Sequence, residues 1–451
     1  MSRRLRMLLV ATIALLAGCA TQENLLPKLT LPLQARIDPS RYVVVTIRND
    51  FRQPTVNPGS TPRGYDAFAA YGVSPQAREA MHELARDYHL RKVAVWPIEV
   101  LKVHCVVFRL PAFVTRSTLI AQLARDPRIE SVQPLNLFRT AGRSAPGAFV
   151  PSASPPGRSY LPLQRNLREL GVLKAQRLSR GAGVRIAIID TGVDYRLPQL
   201  RGRVILEQNF VAGSDGFTHD RHGTEVAGVI AATHKDGQGI LGIAPEAHLL
   251  AFKACWPLRP GAAQAVCDTF TLAQALAAAI AEHANVVNLS LAGPPDPLLA
   301  RLIRYGMRHG IVYVGAVAPS RLHLHPAFPT DIPGVLAVQS GEDPDTAHHL
   351  AAPGLGILTL VPGGSYDFVS GSSMATAEVT GVVALMRAAN AHLSAAALNA
   401  LLAQSSRRVI TPSGTLVSID ACDALARALG QTGCDAQVGA LAEATPGSVN
   451  P

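Results

Sequence analysis

Aromatic and charged residues are both scarce in this chain. Of its 451 residues, 5% are aromatic and 16% are charged, whereas 48% are hydrophobic. Disordered chains carry more charge and fewer apolar residues than this, so the composition indicates a globular protein, long enough for about two or three domains. The formal net charge is +10, but no block of Lys and Arg and no basic stripe with interleaved aromatics stands out. We therefore expect a solvated basic surface and no nucleic-acid partner.

Metal-binding patterns are also missing. No two cysteines have C-x-x-C spacing and no two histidines have the helical His-x-x-x-His spacing, which are common signatures of zinc ligands. We expect no metal and no other cofactor. Four histidines of the C-terminal half are interpreted as surface residues: His323, His325, His348 and His349.

The apolar run at the N-terminus, from Met7 to Ala17, is too short to span a membrane as a mature helix. Three arginines precede it, as in an export signal. The run ends in Leu16-Ala17-Gly18-Cys19, which resembles the bacterial lipoprotein signal box. Residues 19–39 show no periodicity and are expected to form a tether. The resemblance implies a signal peptide over residues 1–18 and lipid on Cys19 that anchors the chain to a membrane. Because Ala20 follows, it also implies sorting to the outer membrane, facing the periplasm, of a Gram-negative bacterium. A plain secretory signal with a chance cysteine is the alternative.

Five further cysteines follow Cys19. An exported chain enters an oxidising compartment, where cysteines tend to form disulfides. Pairing of sequence neighbours, Cys255 with Cys267 and Cys422 with Cys434, is the simplest of the possible connectivities. It would leave Cys105, within an apolar strand, as a buried thiol.

Residues 40–138 predict short strands and helices in the order β-α-β-β-α-β. Ser74 and Pro75 suit the N-cap and first position of a helix, and apolar residues from Ala77 to Tyr88 recur at helical spacing. This order of elements is the split βαβ arrangement of ferredoxin-like α+β folds. An unrelated α+β domain is the alternative.

The remaining sequence divides into a linker, a larger domain and a tail. Residues 139–160 contain Ala-Pro-Gly and Pro-Pro-Gly and predict an accessible linker, where we expect any maturation cut, between Thr140 and Tyr160. From residue 161 to residue 430, continuous apolar runs alternate with helical patterns. That alternation predicts an α/β domain with a parallel sheet covered by helices on both faces. Residues 431–451 are a tail whose end, rich in small residues, is expected to be disordered.

Three short motifs of this larger domain carry residues suited to nucleophilic catalysis. A buried-strand pattern leads into Asp190, a small-residue helix pattern contains His222, and a Gly- and Ser-rich turn contains Ser373. A serine at a helix start faces a positive dipole end, but it needs a base, and the base needs an orienting carboxylate. Taken singly, each residue has an ordinary structural interpretation: Ser373 as a helix cap, Asp190 as a turn residue and His222 as a core histidine.

The motifs DTGVD, HGTEVAG and GSSMATAEVTG, in this order, resemble the subtilisin-like serine peptidases over roughly residues 160–430. The resemblance implies a subtilisin-like fold and a serine endopeptidase that hydrolyses polypeptides through an acyl-enzyme. Ser373 would attack the carbonyl, His222 would carry the proton and Asp190 would orient the imidazole. It further implies that residues 40–138 are a propeptide-like domain that assists folding and plugs the cleft.

The same resemblance places the substrate-binding residues. Ser290, Leu291 and Ala292 match the family's substrate-pairing strand. Ala292 and Ala318 stand where the family usually has glycines that line the first specificity pocket. The added methyl groups reduce that pocket, so we expect small or medium side chains before the cut.

One position of the family's oxyanion hole is different here. Aligned by the strand that ends at Ala318, Pro319 stands where the family has an Asn whose side chain donates to the oxyanion. Proline has no such donor, and loss of this donor lowers turnover by about 10²–10³. The Ser373 backbone N–H would be one donor, and the Ser372 hydroxyl or a residue between 320 and 325 could supply another. The alternative function is therefore a degenerate peptidase that binds peptides with weak or no turnover.

Two helix positions also differ from the family. Glu225 stands in place of a second histidine, and Ala377-Glu378 replaces a Pro-His pair. We interpret both glutamates as packing residues with local hydrogen bonds.

Overall fold

The computed structural model describes residues 38–51, 72–144, 158–213, 216–318, 327–342, 349–411, 414–431 and 433–434. The following lie outside the described residues: Cys19 with the signal and most of the tether, Pro319, three of the four surface histidines and most of the tail. Among the helices of the described part, none is long and apolar enough to cross a lipid bilayer.

The N-terminal domain has the predicted order of elements. It consists of β1 (Tyr42–Arg48), α1 (Pro75–Asp87), β2 (Arg91–Ile98), β3 (Val103–Arg109), α2 (Arg116–Leu123) and β4 (Ser131–Pro134). The strands form an antiparallel sheet in the order β2-β3-β1-β4. Helix α1 begins at Pro75, and the Ser74 hydroxyl accepts a hydrogen bond from the Ala77 N–H, which is the predicted N-cap.

The two faces of this sheet bury different cores. Because side chains alternate along a strand, Val43 and Val45 of β1 face the helices of the N-terminal domain, whereas Tyr42 and Val44 face the larger domain. Cys105 of β3 lies on the second face as a buried free thiol, and burial raises its pKa to about 12. The N-terminal domain therefore shares a continuous hydrophobic core with the larger domain.

The larger domain is built on a sheet of seven parallel strands in the order β16-β15-β14-β12-β7-β9-β8. In sequence these strands are β7 (Arg185–Asp190), β8 (Val204–Asn209), β9 (His248–Lys253), β12 (Val286–Leu289), β14 (Val312–Ala316), β15 (Leu336–Ser340) and β16 (Leu350–Ala352). The helices are α3 (Arg165–Glu169), α4 (Val172–Ala175), α5 (Arg221–Ala231), α6 (Thr269–Ala281), α7 (Pro297–Arg308), α8 (Ser372–Ala389), α9 (Ala395–Gln404) and α10 (Ala421–Ala428).

Helices cover both faces of this sheet. Ile186 and Ile188 of the interior strand β7 pack in one core with residues of α5 and α8, whereas Ala187 and Ile189 pack in another with residues of α6 and α7. The strand is apolar throughout because both of its faces are buried. The predicted α/β class, with helices on both faces of a parallel sheet, is confirmed.

The shorter strands form smaller sheets, some of them around the cleft. They are β5 (Leu137–Thr140), β6 (Gly142–Ser144), β10 (Cys255–Pro257), β11 (Ala265–Asp268), β13 (Leu291–Ala292), β17 (Ile357–Leu360), β18 (Tyr366–Gly371), β19 (Arg407–Thr411) and β20 (Gly414–Ser418). Disulfides join Cys255 to Cys267 and Cys422 to Cys434.

The start of the expected linker is not a free linker in the structure. The sequence assigns residues 139–160 to an accessible connection, but residues 137–144 form β5 and β6, which are paired with strands of the larger domain. The segment is too short to show a periodicity of its own, and its strand conformation comes from pairing with sheet edges that are distant in sequence.

Candidate active site

Asp190 and His222 meet at the carboxyl edge of the parallel sheet. Asp190 is the last residue of β7, and His222 lies in the first turn of α5. The His222 Nδ1 atom is 2.8 Å from Asp190 Oδ1 and 2.9 Å from Oδ2. Both side chains are fully buried. This contact leaves the Nε2 atom of His222 to face the cleft.

A buried polar network holds this pair in place. The Thr191 N–H donates to Asp190 Oδ1 at 2.6 Å, and the Thr191 hydroxyl accepts from the Gly223 N–H at 2.8 Å. Next to it, Lys253 on β9 and Asp220 before α5 form a buried ion pair, with Nζ 2.5 Å from Oδ2. The same Asp220 oxygen accepts from the N–H of Gly192 at 2.8 Å. Two separate hydrogen bonds, Gly223 to Thr191 and Gly192 to Asp220, thus connect the end of β7 to the start of α5.

The electrostatic surroundings of His222 favour its protonated form. Burial alone would lower its pKa, but the Asp190 carboxylate, through charge and a hydrogen bond, and the Glu225 carboxylate more than offset that effect and raise the pKa. A histidine with an elevated pKa that faces a buried carboxylate is suited to accept a proton and hold the resulting charge.

Ser373 is the second residue of α8 and is fully buried. The turn before the helix passes through Gly371 at φ 138°, a backbone conformation that residues with a side chain rarely adopt. Ser290 Oγ donates to the Ser373 carbonyl at 3.0 Å and itself accepts from the Asn288 amide at 2.9 Å, while Thr380 Oγ1 donates to that amide's oxygen. This chain of hydrogen bonds fixes the serine turn to the end of β12.

The chain's own residues 137–144 run through the cleft. Strand β5 lies between β11 and β13, with Thr140 opposite Leu291 and Arg139 opposite Ala292. The Ala141 N–H then donates to the Ser290 carbonyl at 3.1 Å. Strand β6 continues on the other side of Ser373 and pairs with β18. The predicted substrate-pairing residues thus bind the chain's own backbone.

The backbone at Gly142 lies directly against the two reactive side chains. A Cβ atom built on Gly142 would be 3.0 Å from His222 Nε2 and 3.1 Å from Ser373 Oγ. Within the described residues, neither of these two atoms makes a hydrogen bond. The backbone at Gly142, next to the hydrogen-bonded Ala141, therefore lies against the serine and histidine side chains.

Phe138, three residues before Ala141, fills a closed pocket. Its side chain is 1% exposed and packs edge-to-face on Phe328, with ring centroids 5.1 Å apart. Gly293, the antiparallel bridge partner of Phe328, forms another part of the wall, where an added Cβ would lie 2.2 Å from Phe138 Cδ1. The absence of a side chain at residue 293 is what makes room for an aromatic ring.

The environment of the oxyanion is described only in part, because Pro319 lies outside the described residues. The Ser372 hydroxyl, a possible second donor, donates to the Val317 carbonyl at 3.1 Å in this state. Ala292 and Ala318 pack together with Ala327 in a small buried cluster beside the cleft. Within the described residues, no group of three or more His, Cys, Asp and Glu side chains is placed to hold a metal ion.

Both unusual glutamates are buried and hydrogen-bonded. Glu225 pairs with Arg221, Nε to Oε1 at 2.5 Å, and the same guanidinium bonds to Asp367 of β18. Glu378 accepts a hydrogen bond from the Asn166 amide at 2.7 Å. Burial raises the pKa of both carboxyl groups, well above the usual range for Glu378. Hydrogen bonding accounts for both: the partner of Glu225 is local, as the sequence suggests, whereas Asn166 lies 212 positions before Glu378. Through Arg221, Glu225 is also connected to β18, the strand beside Gly142.

Residues 181–440 match the Subtilase family. The chain belongs to this family. An intracellular serine protease of Paenibacillus polymyxa is 33% identical over 46% of this chain and 68% of that protein. Thermitase of Thermoactinomyces vulgaris is 33% identical over 47% of this chain and 78% of that protein. The crystal structure of fervidolysin from Fervidobacterium pennivorans, a keratinolytic enzyme related to subtilisin, covers 86% of this chain and 61% of its own with a TM-score of 0.61. At 22% identity, that likeness concerns the fold.

Several residues of the subtilase site have no distinctive pattern in the sequence. Lys253 is a charged residue at the end of an otherwise apolar strand, whereas Asp220 lies in a polar stretch before α5, and only the fold brings them together. Gly142 follows an alanine in a Gly- and Pro-rich stretch, which predicts a linker. A charged residue inside a buried strand pattern, as at Lys253, is the one signal that could have been noticed, because such a residue needs a partner.

Proposed function

We propose that this subtilase is a serine endopeptidase that acts through Ser373, His222 and Asp190. The observation that carries the proposal is the position of Gly142, whose backbone lies against both His222 Nε2 and Ser373 Oγ, while Asp190 binds the opposite side of the imidazole.

In the proposed reaction, Ser373 Oγ attacks the carbonyl carbon of the residue that occupies the Ala141 position. His222 Nε2 takes the hydroxyl proton and gives it to the leaving amide nitrogen, so that the peptide bond breaks and an acyl-enzyme ester remains. Water, deprotonated by the same histidine, then hydrolyses the ester. Asp190 stabilises the imidazolium, and the Ser373 N–H at the start of α8 donates to the oxyanion.

The first substrate of this reaction would be the chain itself. Residues 40–138 would be the propeptide-like domain, whose extension fills the cleft, and hydrolysis of Ala141–Gly142 would separate it from a catalytic domain that includes residues 161–430. The cut lies within the stretch where the sequence predicts maturation. Alanine before the cut agrees with the small pocket expected from Ala292 and Ala318.

The proposal is tested by purifying the full chain with Ser373→Ala beside the wild type and Ser117→Ala, a control serine on an exposed face of α2. Mass spectrometry should find a new N-terminus at Gly142 in the wild type and in the control, and only the uncut chain in Ser373→Ala. A wild type that stays uncut and does not react with a fluorophosphonate would instead support the degenerate, peptide-binding alternative.

Export and anchoring are a separate part of the proposal. We base them on the Leu16-Ala17-Gly18-Cys19 sequence, which resembles a lipoprotein signal box. Lipid on Cys19 would hold the chain at the outer membrane, with its domains in the periplasm. Cys19→Ser protein should appear in the soluble periplasmic fraction or stay unprocessed. If it sediments with the outer membrane as the wild type does, the anchor lies elsewhere.

A further inference from the structure

The Cys255–Cys267 disulfide lies directly behind the strand that receives the chain's own segment. The cleft sheet has the order β10-β11-β5-β13, so β5 separates β11 from β13. When β5 leaves, the described part of β11 keeps β10 as its one neighbouring strand. Strand pairing then holds β11 on one side only.

The register places the bridge at a particular point of the cleft. Cys255 and Cys267 are directly opposite each other in the β10–β11 pair. On its other side, Cys267 is directly opposite Phe138 of β5. Both cysteines are fully buried and share a core with Phe138 and Phe328. The disulfide therefore lies behind β11, at the point where the backbone of β11 pairs with Phe138, the aromatic residue in the closed pocket.

We infer that the Cys255–Cys267 disulfide is a positioning element for substrate binding, which keeps β11 in register so that the cleft selects an aromatic side chain four residues before the cut. This inference rests on the proposed function. It assigns the bridge a role in selectivity in addition to its contribution to folding.

The hairpin that carries the bridge is short. Strand β10 has three residues, and β11 has four. The connecting loop carries Leu258 with 51% of its surface exposed, and it is closed by the Leu258 N–H, which donates to the Gln264 carbonyl at 3.0 Å. A shift of β11 by one residue would turn its side chains to the opposite face and misalign the backbone groups that receive the substrate.

The second disulfide is a matched control. Cys422 and Cys434 are also separated by 12 residues. They lie at α10 and the turn after it, in the core on the other face of the central sheet. Removal of this bridge also removes a covalent constraint of similar loop length, but it leaves the cleft sheet unchanged.

The experiment uses full-length protein that has matured to the active enzyme. Three forms are compared: wild type, Cys255→Ala with Cys267→Ala, and Cys422→Ala with Cys434→Ala. Active enzyme is counted by fluorophosphonate titration. Each form is then assayed on two chromogenic tetrapeptides, Phe-Arg-Thr-Ala and Ala-Arg-Thr-Ala, and the ratio of their kcat/KM values measures selection of the aromatic residue. A further variant, Cys255→Val with Cys267→Ala, preserves more of the buried volume.

We expect the cleft variants to lose selectivity by about tenfold or more through KM of the Phe peptide, while the control variant keeps the wild-type ratio within about twofold. An unchanged ratio in titrated cleft variants overturns the inference. So does a failure of both cleft variants to yield titratable enzyme, because the bridge is then a requirement of the fold. A wild type that cleaves neither peptide refutes the proposed function itself, whereas a wild type that cleaves both equally refutes only the inference.

Discussion

Phe138 should be the residue through which the N-terminal domain blocks the cleft most strongly. Its ring is 1% exposed and packs on Phe328 in the larger domain. We expect Phe138→Ala to weaken inhibition by the N-terminal domain, because the ring moves from water into an apolar pocket when the domain binds.

The magnitude follows from the burial and the ring contact. Transfer of a Phe side chain from water to a buried site contributes about 1.5–3 kcal/mol. The edge-to-face aromatic pair adds about 0.5–1.5 kcal/mol. A loss of about 2–4.5 kcal/mol corresponds to an inhibition constant roughly 30- to 1,600-fold higher, since 1.4 kcal/mol is a factor of ten.

The assay adds a fragment of residues 38–141 to mature enzyme and measures the inhibition constant. Phe113→Ala is the control, because Phe113 lies in the same domain with 83% of its surface exposed. Its effect should stay within about twofold, as for most surface substitutions. Circular dichroism checks that each fragment keeps its secondary structure. A Phe138→Ala fragment that folds and inhibits as well as the wild type would show that the cleft segment contributes little to the block.

Three further outcomes follow from the buried glutamates and from the oxyanion position. The Glu225 anion raises the pKa of His222, and this histidine must be neutral to accept a proton. Glu225→Gln should therefore move the acidic limb of the kcat/KM–pH profile to lower pH, and an unmoved limb would contradict this. Burial raises the pKa of Glu378 well above 4.5, so the folded chain keeps a proton that the unfolded chain releases, and it loses stability as the pH rises above that value. Glu378→Gln should therefore raise the Tm at pH 8 but hardly at pH 4, as measured by calorimetry. Pro319→Asn should raise kcat, by up to about 10²–10³, with little change in substrate binding; a wild-type turnover that is already high in steady-state assays would speak against it.

Much of the fold follows from local patterns. Ser74 and Pro75 mark the start of α1, and the continuous apolar run before Asp190 indicates a strand buried on both faces, because each of these signals lies within one element. The disulfide partners are also neighbours in the sequence, and the structure joins them in the simplest way.

The contents of the cleft could not be predicted in this way. Residues 137–144 become strands only because distant edges, from β11, β13 and β18, offer hydrogen-bonding partners. Likewise, Arg221 finds Asp367 across 146 positions of sequence. Ser290 matches the substrate strand by resemblance, but its hydroxyl holds the backbone of Ser373, a contact that depends on the packing of α8. Such pairings are set by tertiary structure and leave no periodic signal.

The position of the proposed cut determines which half of the protein keeps the proposed anchor. Cys19 and the N-terminal domain lie on one side of Ala141–Gly142, and Ser373 lies on the other. After hydrolysis, the lipid would stay with the inhibitor, and the protease would be retained at the membrane only by non-covalent contacts such as the Gln133–Asp296 hydrogen bond and the Arg301–Glu130 ion pair. The lifetime of that interface would then set how far from its site of synthesis the protease can travel.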